Sequence, residues 1–382
     1  MNDKPLRLAL NATAMLTPQT GIGRYVRELA AVLSQLRVRI DYFDAINGWR
    51  DRPPPVLAGV SAAPLRFLHN LPGARLLERK LQQLRFSRDI QKSRAQLYHE
   101  PNYLAFRFNG PIVISAHDAS WVRFPETHPI QRVRIMDRQF PESLERASRI
   151  IVDSDFVARE MNSLFGVSFD RIRMVPLGVT SDFRPMSATE TSRVCRQLGL
   201  NHGGYALAVG TLEPRKNLIS LIRAYRLMPP EISRRCPLVI AGMSGWRHEE
   251  TNREMALLER QGLLRVLGHV EEIDLPPLYA AARLFVYPSI YEGFGLPPLE
   301  AMAAGIPVIV SDRASLPEVV GEAGLCIDPH DIDAMTEALR SVIEDTQRQK
   351  TMAAASLLRS RHFSWPRCAQ ETLAVYHEIL AK

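Results

Sequence analysis

The chain has 382 residues, more than the roughly 250 to 300 at which a single hydrophobic core stops growing, so two domains are expected. An apolar fraction of 46% fits a globular protein, and with neither a long apolar run nor a secretory leader after Met1-Asn-Asp-Lys-Pro5 a cytoplasmic chain is expected; the scattered Cys195, Cys236, Cys326 and Cys368 fit reduced thiols rather than a disulfide framework or zinc site. The net charge of +7 lies in the first half, where residues 1–185 hold 27 Lys and Arg against 18 Asp and Glu, leaving 21 against 23 for the remainder.

Short β-branched runs alternate with helical periodicity from end to end, the pattern of parallel sheets covered by helices on both faces. The first strands are expected at 7–11, 38–43, 97–99, 112–116, 150–153 and 172–176. Within this half, residues 64–94 carry eight basic and two acidic side chains interleaved with Leu76, Leu77, Leu81, Leu84 and Phe86. That mixture suits an amphipathic helix resting on anionic lipid, and equally a solvated basic face over an ordinary core stripe. No nucleic-acid motif accompanies the charge, so no nucleic-acid partner is expected. Residues 178–187 have turn residues and a proline without periodicity, which places a linker there and a domain boundary near 185. A second set of strands is expected at 205–210, 238–241, 265–267, 284–287, 308–310 and 324–327, followed by helices at 331–343 and 347–360. Phe363-Ser-Trp-Pro366 then breaks the run before a last helix. Two Rossmann-like units fit the length.

Ligands of open α/β sheets bind beyond the C-terminal ends of the strands, so the loops that follow strands carry the chemistry. After Leu207-Ala-Val-Gly210 comes Thr211-Leu-Glu-Pro-Arg215-Lys216-Asn217. Two adjacent cations at a strand mouth, beside a helix start, make a diphosphate clamp: guanidinium binds two oxygens at once and ammonium acts as a point charge. The alternative is plain solvated surface charge. After residues 284–289 comes Glu292-Gly-Phe-Gly-Leu-Pro-Pro-Leu-Glu300. Gly293 and Gly295 allow backbone amides close to an anion, and Pro297 and Pro298 suit a first helical turn, which aims a helix N-terminus at the same place. Glu292 before the helix and Glu300 within it are then able to take hydroxyls on different parts of one elongated ligand. A third loop holds His117-Asp118; a histidine at a strand end is either a satisfied structural residue or a catalytic one. Gly21-Ile-Gly23-Arg24 opens a helix after the first strand as a close-approach loop, but Val26 stands where the dinucleotide fingerprint needs a third small residue.

Taken together these residues resemble the retaining glycosyltransferases of the GT-B fold that carry an E-x(7)-E motif, family 4, group 1. The likeness is strongest to bacterial enzymes that use GDP-mannose or related GDP-hexoses in polysaccharide or O-antigen assembly. It runs almost end to end and is most specific at Gly210-Thr-Leu-Glu-Pro-Arg-Lys-Asn217, Gly268-His-Val270, Ser289 to Glu300 with the following Ala-Met-Ala-Ala-Gly-Ile-Pro-Val308, and Ser315-Leu-Pro-Glu-Val-Val-Gly321. The resemblance implies an acceptor-binding domain over 1–185, a nucleotide-sugar domain over 186–363, parallel sheets facing across a cleft, and a helix over 364–382 that crosses back onto the first domain. It implies that Arg215 and Lys216 neutralise the donor diphosphate, that Glu300 holds the ribose hydroxyls and that Glu292 contacts the transferred sugar. The amides of Phe294, Gly295 and Leu296 would line the phosphate and sugar site beside Gly210, Val270 would meet the base through its backbone, and His117 would face the donor sugar. Gly21 and Gly23 would belong to the loop that closes over donor and acceptor.

Such transferases resemble front-face reactions in which an oxocarbenium-like sugar forms as diphosphate leaves, so stabilising the leaving group is the main electrostatic task. Two cations and a helix N-terminus perform it without a metal, and no cofactor is expected. A glycoside hydrolase would need two carboxylates flanking one bond and no diphosphate cations. A nicotinamide oxidoreductase would need the full glycine fingerprint. A non-catalytic nucleotide-sugar-binding protein is the remaining alternative, as are GDP-rhamnose, GDP-fucose or UDP-glucose as donors. The expected partners are GDP-mannose, a glycan or lipid-linked glycan acceptor, and an anionic inner-leaflet surface touched peripherally by 64–94.

Overall fold

The computed structural model describes residues 5–16, 21–55, 74–243 and 249–381. Among these residues the strands build two sheets. The first has the order β3-β2-β1-β4-β5-β6-β7, with β1 Leu6–Asn11, β2 Val38–Asp44, β3 Gly48–Arg50, β4 Leu97–Glu100, β5 Ile112–Ala116, β6 Arg149–Val152 and β7 Ile172–Met174. The second has the order β10-β9-β8-β11-β12-β13, with β8 Ala206–Val209, β9 Leu238–Ala241, β10 Leu264–Gly268, β11 Leu284–Tyr287, β12 Val308–Ser311 and β13 Leu325–Ile327. Pairing is parallel throughout except between β2 and β3.

The central strands are apolar on both faces: every residue of β9, β11 and β5 is buried, as parallel strands covered on two sides require. Strand β3 was not expected. Three residues are too few to show a period of two, and its place is set by packing, with the Trp49 ring 5.3 Å from Phe43 and 5.0 Å from Phe86. The expected strand over 172–176 stops at Met174.

Both sheets reverse direction of winding at one place, between β1 and β4 in the first and between β8 and β11 in the second. A crevice opens beyond the strand ends at such a switch point. The loops after β8 and β11 are the ones that hold Arg215, Lys216 and Glu292.

The chain passes between the sheets twice. After β7 it runs to Ser187, whose side chain and Glu190 form a reciprocal cap on helix Ala188–Leu198, and the helix ends at Gly199 in the left-handed region. It returns at Ser364, which bridges to Val179 in parallel and caps helix Trp365–Leu380 by accepting from the Arg367 N–H, with Pro366 in the first turn. The two passages touch so closely that a Cβ on Gly178 would lie 2.2 Å from the Trp365 nitrogen. Helix Trp365–Leu380 then packs on helix Gly21–Gln35, and its Glu378 takes Arg149 and Arg173, each at 2.6 Å, from β6 and β7. Inside, His99 bonds the Tyr376 hydroxyl at 2.6 Å and Ser115 at 2.8 Å, and Tyr25 meets the same serine at 2.9 Å. Last and first segments thus share one core, which also takes in Phe294 and Leu299 from the second half.

Of the basic stretch, residues 64–73 lie outside the described residues, and the rest is helix Ala74–Ser93 followed by a turn at Arg94. Its inner face is Phe86, fully buried, and Arg79, whose guanidinium sits 3.8 Å from the centre of the Phe106 ring. Leu77, Leu81 and Leu84 are 60%, 48% and 66% exposed, spaced to form one outward stripe beside Lys80 and Arg88. No helix among the described residues is long and apolar enough to cross a membrane.

Candidate active site

The loop after β8 folds as a tight turn over Pro214–Lys216 and ends at Asn217 in the left-handed region, an amide-bearing residue that tolerates it. Asn217 is anchored by donating to the Pro329 carbonyl at 2.7 Å, and helix Leu218–Leu227 starts there. The loop after β11 lies against this turn: the Ile290 N–H donates to the Arg215 carbonyl at 2.8 Å, and Arg215 donates to the Tyr291 carbonyl at 3.1 Å. Sequence neighbours of two different strands are thereby welded into one wall.

At its centre stands Glu292, buried. Its carboxylate accepts from the Lys216 ammonium, from Ser289 Oγ at 2.6 Å and from the Tyr287 hydroxyl at 3.0 Å, with Arg215 at 3.5 Å. Arg215 also pairs with Glu213 at 2.9 Å, and Lys216 also donates to Tyr287 at 2.7 Å. Burial alone would push the Glu292 carboxyl up, but Lys216 and Arg215 hold it at about 2. Burial draws Lys216 below its ordinary range while Glu292 opposes that, and the depressed carboxyl follows from three donors and two cations converging on it. The anticipated clamp of two cations is therefore a quartet: Arg215 and Lys216 (+2) with Glu213 and Glu292 (−2) sum to zero. Gly210 flanks it, its Cβ direction meeting Lys216 and Tyr287 at 3.8 Å.

Helix Leu296–Ala303 begins beside the quartet with Gly295 at φ 122° and two prolines in its first turn. Ser315 Oγ donates to the Glu292 carbonyl at 2.9 Å and the Phe294 carbonyl at 2.6 Å, fixing the approach to the helix. The Phe294 ring is buried 5.7 Å from Phe363, and Leu296 sits at the helix start. Glu300 is buried in the same helix and is taken by Arg24 of the first half, which also reaches Glu272 at 3.3 Å. Burial raises the Glu300 carboxyl, with Arg24 and the Tyr279 hydroxyl opposing. Val270 follows β10 with its side chain in the core of the second half.

His117, after β5, makes both its hydrogen bonds within the first half: Nδ1 with Asp153 at 2.7 Å and Nε2 with the Pro101 carbonyl at 2.9 Å. A carbonyl only accepts, so Nε2 carries a proton, and Nδ1 against a carboxylate requires another between them. The pair accordingly holds a shared proton. Burial lowers the imidazole but Asp153 more than restores it, so His117 sits above its ordinary range.

The two halves meet at this point. A Cβ on Gly293 would lie 1.6 Å from the His117 carbonyl oxygen, so only glycine fits there, and Ser154 Oγ donates to the Gly293 carbonyl at 2.7 Å. Gly21 and Gly23 open helix Gly21–Gln35, as expected, and lie within its first turn rather than in a loop before it. Gly21 still faces across, its Cβ direction 3.6 Å from the Leu296 side chain, and Gly23 is buried. The structure thus brings Arg215, Lys216, Glu292, Gly210 and the Phe294-Gly295-Leu296 turn into one site, with His117 against Gly293 and Gly21 against Leu296. Sequence reading missed Arg24, Tyr291, Asp153, Ser154 and Glu160. Arg24 and Tyr291 lie inside quoted stretches without a role of their own, and Asp153 directly follows the strand next to that of His117; Ser154 and Glu160 had no signal beyond a helix start. Two Asp-x-Asp triplets exist, but Asp153 is bonded to His117 and Asp155 opens helix Asp155–Phe165, while Asp331 caps helix Ile332–Glu344 and Asp333 lies in its first turn.

Two doubly wound domains with their strand ends and loops facing across one crevice define the GT-B architecture. Solved structures bear this out at the level of fold: sucrose-phosphate synthase from Thermosynechococcus elongatus superposes with a TM-score of 0.76 at 22% identity, covering 98% of this chain and 99% of that one. WaaG, a glycosyltransferase involved in lipopolysaccharide biosynthesis, superposes with a TM-score of 0.72 at 16% identity, covering 96% and 99%. The chain belongs to the family 4, group 1 glycosyltransferases: the family described as glycosyl transferases group 1 matches residues 196–357, and glycosyltransferase family 4 matches 19–183. Among its relatives, O-antigen chain mannosyltransferase B of Escherichia coli is 40% identical over 368 residues, 94% of this chain and 96% of that protein. The chain is a sugar-transferring enzyme.

Proposed function

We propose that this glycosyltransferase moves mannose from GDP-mannose to a glycan acceptor, lipid-linked, in the assembly of an O-antigen or related surface polysaccharide, with retention at the anomeric carbon. One observation carries the reading: the cations suited to diphosphate and the carboxylate suited to a sugar form one neutral quartet, with Lys216 and Glu292 buried and Arg215 and Glu213 partly so, at the switch point of the second sheet. Glu292 compensates the charge of Lys216 and Arg215. A donor replaces that compensation, its diphosphate meeting the two cations while sugar hydroxyls take over hydrogen bonds to Glu292.

In this reading the start of helix Leu296–Ala303 adds its N–H groups and dipole at the leaving phosphate, and Glu300 holds the ribose. Val270 meets the base. As the glycosidic bond lengthens, negative charge grows on the diphosphate oxygen and positive charge on the sugar. Arg215 and Lys216 stabilise the first, and the acceptor hydroxyl attacks from the same face, handing its proton to the departing phosphate. The His117–Asp153 pair, whose His117 carbonyl packs against Gly293, is assigned to the sugar-facing wall on the family resemblance. The reading routes no step through a metal: Arg215, Lys216 and the helix start carry the leaving-group charge, while Asp153 holds His117 and Asp331 caps a helix. The mannosyl donor is favoured by the 40% identical relative, whose name specifies mannosyl transfer to an O-antigen chain.

The acceptor reading is joined by peripheral attachment to an anionic inner leaflet through helix Ala74–Ser93, whose outward Leu77, Leu81 and Leu84 lie beside basic side chains. Thermal unfolding with a panel of nucleotide sugars tests the donor. GDP-mannose should raise the midpoint more than GDP-fucose, GDP-rhamnose or UDP-glucose, because a ligand bound only by the folded state stabilises in proportion to its occupancy. A larger shift with UDP-glucose would overturn the donor assignment.

A further inference from the structure

The segment from Tyr291 to Glu300 belongs to the second domain, yet three of its residues are gripped by the first. Glu300 is held by Arg24, and the Gly293 carbonyl by Ser154. The deepest grip is on Tyr291, which enters a socket made entirely of first-domain groups. Its hydroxyl accepts from the Ala119 N–H at 2.7 Å and donates to the carboxylate of Glu160. Its ring packs 5.4 Å from Phe124 and 5.6 Å from Phe156. Glu160, itself 4% exposed, is fixed from behind by Arg123 Nε at 2.6 Å.

A phenol buried at 4% exposure, with its polar end on a charged acceptor and a backbone donor, is set in both direction and depth. The next residue in the chain is Glu292. Between them, the Tyr291 carbonyl accepts from Arg215 at 3.1 Å. The peptide that carries the Glu292 carboxylate is thus pinned on one side by the diphosphate loop and on the other by the first domain. Loss of the socket would leave every second-domain contact of the donor site in place and remove the first-domain hold on the residue that precedes Glu292.

We propose that Tyr291 is a positioning residue: seated in the Ala119–Glu160 socket, it aligns Glu292 for transfer only when the two domains are closed on each other. The proposal rests on the reading of Glu292 as the sugar-facing carboxylate. It separates two properties that a donor-pocket residue would join, because nucleotide affinity belongs to the second domain and alignment for transfer to both.

The experiment uses the full chain as wild type, Tyr291→Phe, Glu160→Gln and the double variant. GDP affinity is measured by calorimetry, kcat and KM with GDP-mannose and a glycan acceptor, and overall dimensions by small-angle scattering with and without GDP. Losing a hydrogen bond to a buried charged acceptor should lower kcat about 10- to 100-fold in Tyr291→Phe. GDP affinity should stay within about twofold, and the double variant should fall no further than Tyr291→Phe alone, since both changes act on one contact. With GDP, Tyr291→Phe should scatter as a more open particle than wild type. Unchanged kcat, or GDP affinity falling in step with kcat, would overturn the proposal. Should wild type transfer no sugar, the functional reading fails, and the scattering comparison still decides: identical dimensions for wild type and Tyr291→Phe in GDP would sink the socket.

Discussion

Replacing Lys216 by methionine keeps the aliphatic stem and removes one charge from the quartet. The quartet then changes from neutral to −1, and Glu292 faces an incoming diphosphate with only Arg215 to compensate it. At an effective dielectric constant of about 20, a unit charge about 4 Å from a phosphate oxygen is worth about 4 kcal/mol. That corresponds to a loss of about a thousandfold in kcat/KM. The fold should survive, because Glu292 retains Ser289 at 2.6 Å, Tyr287 at 3.0 Å and Arg215 at 3.5 Å. With those partners left, the stability loss should be about 2 to 3 kcal/mol, near the lower edge for breaking a buried ion pair. Steady-state transfer from GDP-mannose measures the first quantity and denaturant unfolding the second. A folded Lys216→Met variant whose kcat/KM stays within about threefold of wild type would refute the electrostatic argument.

Gly293→Ala puts a methyl 1.6 Å from the His117 carbonyl, where neither backbone can yield, so the domains must part; transfer should fall more than about 100-fold while calorimetry finds GDP binding retained. The Glu292 carboxyl is held at about 2 against its ordinary 4.5. A lowered carboxylate stabilises the fold fully above 4.5 and loses that contribution as pH falls through about 2, so Glu292→Gln should flatten the stability slope across that window in denaturant titrations at successive pH. An unchanged slope would mean that other carboxylates carry it. Changing Leu77, Leu81 and Leu84 together to serine should abolish co-sedimentation with anionic vesicles and leave transfer to a short soluble acceptor unaltered, whereas retained vesicle binding would remove helix Ala74–Ser93 from the account.

The α/β class was legible because parallel strands buried on both faces read as apolar runs, as in Leu238–Ala241 and Leu284–Tyr287. The antiparallel strand Gly48–Arg50 was not, because its pairing depends on Trp49 packing against distant rings. The quartet was half legible. Arg215, Lys216 and Glu292 stood out by residue type after strand ends, but their mutual neutralisation arises from loops 76 residues apart meeting in space. Arg24, Tyr291 and Glu160 stayed hidden for the same reason, since each acquires its partner only across the domain gap. The leucine stripe at 77, 81 and 84 had two readings in sequence, and its exposure separates Phe86, which belongs to the core, from the three leucines, which face outward.

Transfer of mannose with its anomeric configuration kept is tested most directly by analysis of the product. Incubation with GDP-mannose and a lipid-linked or synthetic glycan acceptor, followed by mass spectrometry and NMR of the product, should find α-linked mannose added with GDP released one for one. A β-linked product, or release of free mannose with the acceptor unchanged, would contradict it.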